Sequence, residues 1–166
     1  MKSKIVMTGL VILALVLGSV FAAAKANFTG TWVMDKAKSE GVPDGVEQTM
    51  TLTQTGDTLT LENKIVSDQG NITINDTYNI NGKEVEFSQK RNDVVGKGKR
   101  TSTWSADGNG FDSTEDIKFE TPDGETITQH VTRKWVLAAD GKSFTVDLNV
   151  TGPNGTSHTK RTFVKK

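Results

Sequence analysis

From Asn27 onward the chain runs in short stretches of alternating apolar and polar residues, and nearly every stretch ends at a glycine beside Asn or Asp. Alternation with a period of two places successive side chains on opposite faces of a strand. Asn-Gly and Asp-Gly supply the positive φ angles that tight hairpin turns need. After an opening stretch at 28–35, strands are predicted at 46–55, 58–66, 71–80, 83–91, 98–106, 110–120, 125–138, 142–151 and 156–165. The punctuation falls at Gly56-Asp57, Asp68-Gln69-Gly70, Asn81-Gly82, Asp107-Gly108, Pro122-Asp123-Gly124, Asp140-Gly141 and Pro153-Asn154-Gly155, with a longer break at 92–97. No part of this region has sustained helical periodicity. The expectation is therefore an all-β chain of ten strands joined in sequence. A meander of that length leaves long exposed edges unless it closes, so a closed antiparallel up-and-down barrel is favoured over a sandwich.

The opening stretch Phe28-Thr29-Gly30-Thr31-Trp32-Val33-Met34-Asp35 puts Phe28, Gly30, Trp32 and Met34 on one face. Gly30 leaves room beside the indole of Trp32 for a neighbouring group. It is the strand expected to close the ring. A local repeat supports a shared core: Tyr78 and Phe87, Trp104 and Phe111, and Trp135 and Phe144 each flank one of the tight turns. The spacing is too irregular for a propeller or solenoid.

The residues before this region read differently. Lys2 and Lys4 precede an apolar run from Ile5 to Phe21, followed by Ala22, Ala23, Ala24 and Ala26. A basic start, a short apolar centre and an Ala-x-Ala exit describe a secretory signal, here 1–26, with cleavage after Ala24 or Ala26 equally readable. The alternative is an uncleaved anchor, although the run sits at the lower edge of the about 17–25 residues a spanning helix needs. The expected product is a secreted or periplasmic domain at 27–166, without the cysteine that a lipoprotein anchor, a disulfide or a thiolate metal site requires. Lys2, Lys4 and Lys25 account for three of the 20 basic residues and all 20 acidic ones lie beyond them, so the mature part carries a net charge of −3. That balance provides no electrostatic drive towards nucleic acid or an anionic membrane.

Strand parity sorts the side chains. Inward positions carry Met50, Leu52, Leu59, Leu61, Ile65, Ile72, Ile74, Tyr78, Ile80, Val85, Phe87, Trp104, Phe111, Ile117, Phe119, Ile127, Val131, Trp135, Leu137, Phe144, Val146, Leu148, Val150 and Phe163. The same parity turns Gln54, Asn63, Asp76, Gln89, Arg91, Arg100, Ser102, Ser113, Glu115, Gln129, Arg133 and Arg161 inward, a large polar load for a packed core. Most of the apolar aromatics lie near the tight-turn end. Most of the polar residues lie at mid-strand or towards the longer loops. The expectation is an apolar plug at one end and a wetter, loop-rimmed mouth at the other.

Phe28-x-Gly30-Thr31-Trp32 opening the meander, with Arg161-Thr162-Phe163-Val164-Lys165 closing it, resembles the calycin group of lipocalins and fatty-acid-binding proteins. The chain is similar to a lipocalin-like protein of a bacterial exported type. The lipocalin resemblance implies that Trp32 plugs the closed end, with Gly30 beside it, and that Arg161 packs across the indole. The fatty-acid-binding resemblance implies instead that Arg161 and Phe163 meet a ligand carboxylate, with Phe163 standing where that family has tyrosine. The segment 36–45 is too short for the helical lid of the second group, and the C-terminal helix and cysteine pair of many lipocalins are missing, which leaves the subfamily open.

The function these readings point to is non-enzymatic binding of a small hydrophobic or amphipathic ligand inside the barrel, with no cofactor. Arg91 and Arg100, with Gln129, are candidates to receive its polar end, since guanidinium matches a carboxylate bidentately. An internal ion-pair network of the arginines with Asp76 and Glu115 is the alternative, and Arg133, one inward step before Trp135, joins either arrangement. Asp76 and Glu115 together meet the requirement for an acid–base pair only if one is protonated, which neighbouring arginines oppose. His130 and His158 fall on outward positions without a third ligand nearby, which argues against a metal or haem site. The Asn-x-Thr matches at Asn27, Asn71, Asn75, Asn149 and Asn154 are what a chain rich in both residues produces by chance. The rival function is an exported interaction module with a filled barrel that acts through its loops or outer face.

Overall fold

The computed structural model describes residues 24–91, 94–121 and 124–166, so the signal-like run lies outside the described residues. The strands are β1 (Gly30–Met34), β2 (Glu47–Thr55), β3 (Thr58–Ser67), β4 (Gly70–Asn79), β5 (Glu84–Arg91), β6 (Val94–Trp104), β7 (Gly110–Glu120), β8 (Thr126–Leu137), β9 (Ser143–Gly152) and β10 (Gly155–Lys165). They form one antiparallel sheet in the order β4-β3-β2-β1-β10-β9-β8-β7-β6-β5. The first strand therefore pairs with the last, through Trp32 opposite Lys165 and Met34 opposite Phe163, and the meander curls into a nearly closed up-and-down barrel. One seam remains, between β4 and β5, which share no hydrogen-bonded ladder.

Strand boundaries follow the alternation with one correction. The predicted break at 92–97 is mostly strand: Val94 to Lys97 pair with Arg91 to Ser88, and β6 starts at Val94. Gly96 and Gly98 occupy inward positions there, and without side chains they erase the period-two signal. Gly96 must be small, because a Cβ would run into the Phe119 ring and Ile117 Cδ1, the latter at 2.7 Å. At 36–45 the chain makes a single turn of tight helix, Lys36–Lys38, capped by Asp35, and then lies against the outside of β10 through the Glu40–Lys160 bridge.

The tight-turn end is sealed. Phe111, Trp135, Phe144 and Phe163 form a stack, with successive centroids 5.2, 5.5 and 4.8 Å apart and rings within 20° of parallel. Phe28 meets Phe111, Trp135 and Phe144 edge-on, and the Trp32 indole donates to the Phe28 carbonyl at 2.8 Å. The segment leading into β1 is tied down around it. Gln54 accepts from the Phe28 amide at 3.0 Å and donates to the Ala26 carbonyl at 2.8 Å, while the Ala26 amide donates to the Gly108 carbonyl. Gln54 thus serves the plug rather than the interior, and the folded unit includes Lys25 and Ala26. Lys25 pairs with Asp57 at 2.5 Å, and Asp57 also accepts from the Trp104 indole.

The other half departs from the expected wet mouth. A second apolar cluster lies there, with Ile117, Phe119 and Val131 buried and Phe87, Val94, Ile127, Leu148 and Val150 packed against them. Polar residues lie between the two clusters. The physical reason is satisfaction: a charge held mid-barrel has partners on several strands, whereas one at the rim does not.

Candidate functional site

Between the clusters lies a cavity of about 350 Å³. Its wall is mixed along the axis. Ile65, Ile72, Ile74 and Val150 line the part towards the longer loops together with Gln48, Asn63 and Ser157 at the same level, Leu148 lies level with Arg133, and Asp76, Tyr78, Trp135 and Arg161 line the part nearer the plug. The register explains the grouping on one side. Trp135, Val146 and Arg161 share a rung across β8, β9 and β10, and Arg133, Leu148 and Thr159 share the next. Two arginines therefore stand at opposite corners of a patch centred on Val146 and Leu148. Strands two apart are separated by about 10 Å.

Behind this wall runs a charged network. Arg100 Nε donates to Glu115 Oε1 at 2.9 Å, Nη1 donates to Asp76 Oδ1 at 2.7 Å and to the Thr77 carbonyl at 2.9 Å, and Nη2 donates to Asp76 Oδ2 at 2.6 Å. Glu115 Oε1 also accepts from Arg133 Nη1. The Arg100 guanidinium is sandwiched between the rings of Tyr78 and Phe87, 4.1 Å from each centroid. Burial pushes Arg100 down, but the Tyr78 phenol, the hydrogen bond to Asp76 and the charges of Glu115 and Asp76 outweigh it, so its net shift is upward. Arg133 likewise ends above its ordinary value, with burial opposed chiefly by Tyr78 and Glu115. A buried pair survives only with such complete hydrogen bonding.

The network also carries a mechanical load. Arg100 sits on β6, and Asp76 and Thr77 sit on β4, so these bonds span the seam that has no ladder. Arg100, read from the sequence as a receptor for the ligand's polar end, is engaged with its own protein and is not on the cavity wall.

The other sequence-derived candidates divide. Asp76 and Arg133 line the cavity; Glu115 is buried between two arginines. Gln129 faces Ile117 on the neighbouring strand and lies beside Gly152, away from the cavity wall. The side chain of Arg91 lies outside the described residues. The pair Arg161 and Phe163 is split, with Arg161 on the cavity and Phe163 in the aromatic stack. A cation lies over the Trp32 ring in Lys165, whose Nζ is 5.3 Å from the centroid. Gly30 makes room for that lysine, since a Cβ there would meet Lys165 Cε at 2.9 Å on a backbone with φ of 146°. His130 and His158 face outward, each bonded to an aspartate, Asp116 and Asp147.

One polar relay escaped the sequence reading. Arg161 Nη1 donates to Gln48 Oε1 at 2.9 Å, and Gln48 Nε2 donates to Asn63 Oδ1 at 2.8 Å. Gln48 is buried and lies one inward step before Met50, so extending the parity by two residues finds it. Ser157 and Thr159 reach the cavity by the same rule, counted back from Arg161.

No family model matches the sequence, and no curated protein matches it. Among solved structures, the zebrafish ileal bile acid-binding protein, crystallised with cholic acid, matches with a TM-score of 0.51 over 84% of this chain and 98% of its own, at 16% identity. That likeness is one of fold, an antiparallel up-and-down barrel.

Proposed function

We propose that this barrel is a non-enzymatic carrier or sensor for a small amphipathic molecule bearing an anionic group, held head-inward. The carrying observation is a cavity with two arginines on its deep wall. Arg133 and Arg161 stand there, and Ile65, Ile72, Ile74 and Val150, interleaved with Gln48, Asn63 and Ser157, lie between them and the longer loops. An anion reaching the arginines gains charge-assisted hydrogen bonds in a water-poor site, while its tail replaces water against aliphatic side chains. A volume of about 350 Å³ lies at the small end of the about 300–1,000 Å³ usual for ligand sites, which favours a compact or medium-chain ligand. The same space weighs against a filled barrel acting only through its surface. The bile acid-binding fold neighbour supports this reading, as a barrel of the same architecture described in complex with an amphipathic acid.

Titration calorimetry with dodecanoate is expected to show one site on the wild-type protein, weakened about tenfold or more by Arg161→Met, as loss of a charge-assisted contact predicts. Native mass spectrometry of protein from its own host is expected to show a co-purifying amphipath. Absence of both a retained mass and any heat with dodecanoate would remove the proposal.

A further inference from the structure

Tyr78 is the chain's single tyrosine, and it has no part in the ion-pair network except as a surface for it. It is 2% exposed and lines the cavity, yet its hydroxyl makes no hydrogen bond to any described residue. Nor is that hydroxyl sealed off. The Trp135 Nε1 and Thr159 Oγ1 atoms are buried without a partner, and the Tyr78 hydroxyl is not among such atoms, so it borders open space. A buried hydroxyl without a partner is costly, and one facing a cavity is provided for by whatever enters.

Its position is specific. In the ring of strands β4 lies across from β9, and β8 and β10, which carry Arg133 and Arg161, flank β9. The Tyr78 ring leans across the barrel to within 5.8 Å of the Trp135 ring. Arg100 stacks on its other side and holds the two residues before it, bidentately at Asp76 and at the Thr77 carbonyl. Burial raises the phenol far above its ordinary value, against the charge of Arg133, so the hydroxyl remains a donor across the physiological range. On the last strand, the inward step beyond Arg161 is Phe163, which has no hydroxyl to offer.

Building on the head-inward reading, we propose that the Tyr78 hydroxyl donates to the ligand's carboxylate from the wall opposite Arg133 and Arg161, and so selects an acid over an uncharged head group. Arg100 and Asp76 are positioning residues: Arg100 stands behind the cavity wall, Asp76 is engaged by it through both carboxylate oxygens, and together they hold Tyr78 in place across the open seam. The test compares dodecanoate with dodecanol by titration calorimetry on wild type and on Tyr78→Phe, a change that keeps the ring on Arg100. Tyr78→Phe is expected to weaken dodecanoate about tenfold or more and to change dodecanol by less than about twofold. Asp76→Asn is expected to lower the same acid-over-alcohol ratio in wild type and to add nothing in Tyr78→Phe.

Unchanged dodecanoate affinity in Tyr78→Phe, or equal losses for both probes, would overturn the assignment while leaving the cavity as a ligand site. Losses from Asp76→Asn that simply add to those of Tyr78→Phe would remove the positioning role. Wild-type protein that binds neither probe would take the head-inward reading down, and this assignment with it.

Discussion

The plug and the charged belt are both buried, but they are held together by different physics. In the plug, Phe28, Trp32 and the four stacked rings gain from burial and ring contact, and polar satisfaction is secondary: the Trp32 N–H donates to one carbonyl, while the Trp135 N–H is buried without a partner. In the belt, Asp76, Arg100, Glu115 and Arg133 are worth keeping only as a complete set, since any one of them alone is an uncompensated charge in an apolar surrounding. The plug therefore tolerates the loss of one member in proportion to its size, whereas the belt fails by charge. The cavity lies where the two meet, which provides apolar length and fixed charge within one site.

That contrast can be broken experimentally. The largest effect is expected from Glu115→Gln, which leaves Arg100 and Arg133 sharing a site with one carboxylate; a loss of about 3–5 kcal/mol in a denaturant titration is the expected outcome. A loss no greater than that of an exposed pair would mean water reaches the belt. Next come two matched truncations. Leu59→Ala in the plug, where the side chain is fully buried, should cost about 2–5 kcal/mol. Leu148→Ala, on the cavity wall, should cost about 1 kcal/mol or less, because space already borders it and no new packed void is made. Equal costs would erase the distinction between sealed and open halves.

The smallest effect concerns the rim of the plug. Asp57 is held below the usual carboxylate range, first by the Lys25 hydrogen bond and then by that of the Trp104 indole. A carboxyl with a depressed folded pKa contributes stability above its unfolded pKa and loses it as pH falls through the folded value. Titration of the Asp57 carboxyl by NMR should thus show a midpoint below that of an ordinary aspartate, moving up in Lys25→Ala. An unmoved midpoint would detach Lys25 from the plug.

Much of the fold was legible because period-two alternation and Asn-Gly or Asp-Gly turns are local signals. They placed nine of the strand starts within two residues of the observed ones, and failed only at β6, where Gly96 and Gly98 have no side chains to alternate. The list of inward polar residues was also readable from parity. Their roles were not. Arg100 and Arg161 look alike in the sequence, each an inward arginine near an aromatic, yet one is stacked and bonded at the seam and the other faces the cavity. Tyr78 read as core because parity cannot distinguish a ring packed all round from one whose hydroxyl borders a void.

By itself, then, the sequence determined which side chains point inward, where the chain reverses, and that its ends must meet, since each of these depends on neighbours two to five positions away. Only the tertiary structure decided which strands stay unpaired, that the polar layer sits between two apolar clusters rather than at the mouth, and that Lys25 and Ala26 belong to the folded unit. Those outcomes depend on pairings between residues far apart in the chain, such as Arg100 with Asp76 or Ala26 with Gly108. Charge satisfaction and ring packing select among such pairings only once closure has brought the strands together.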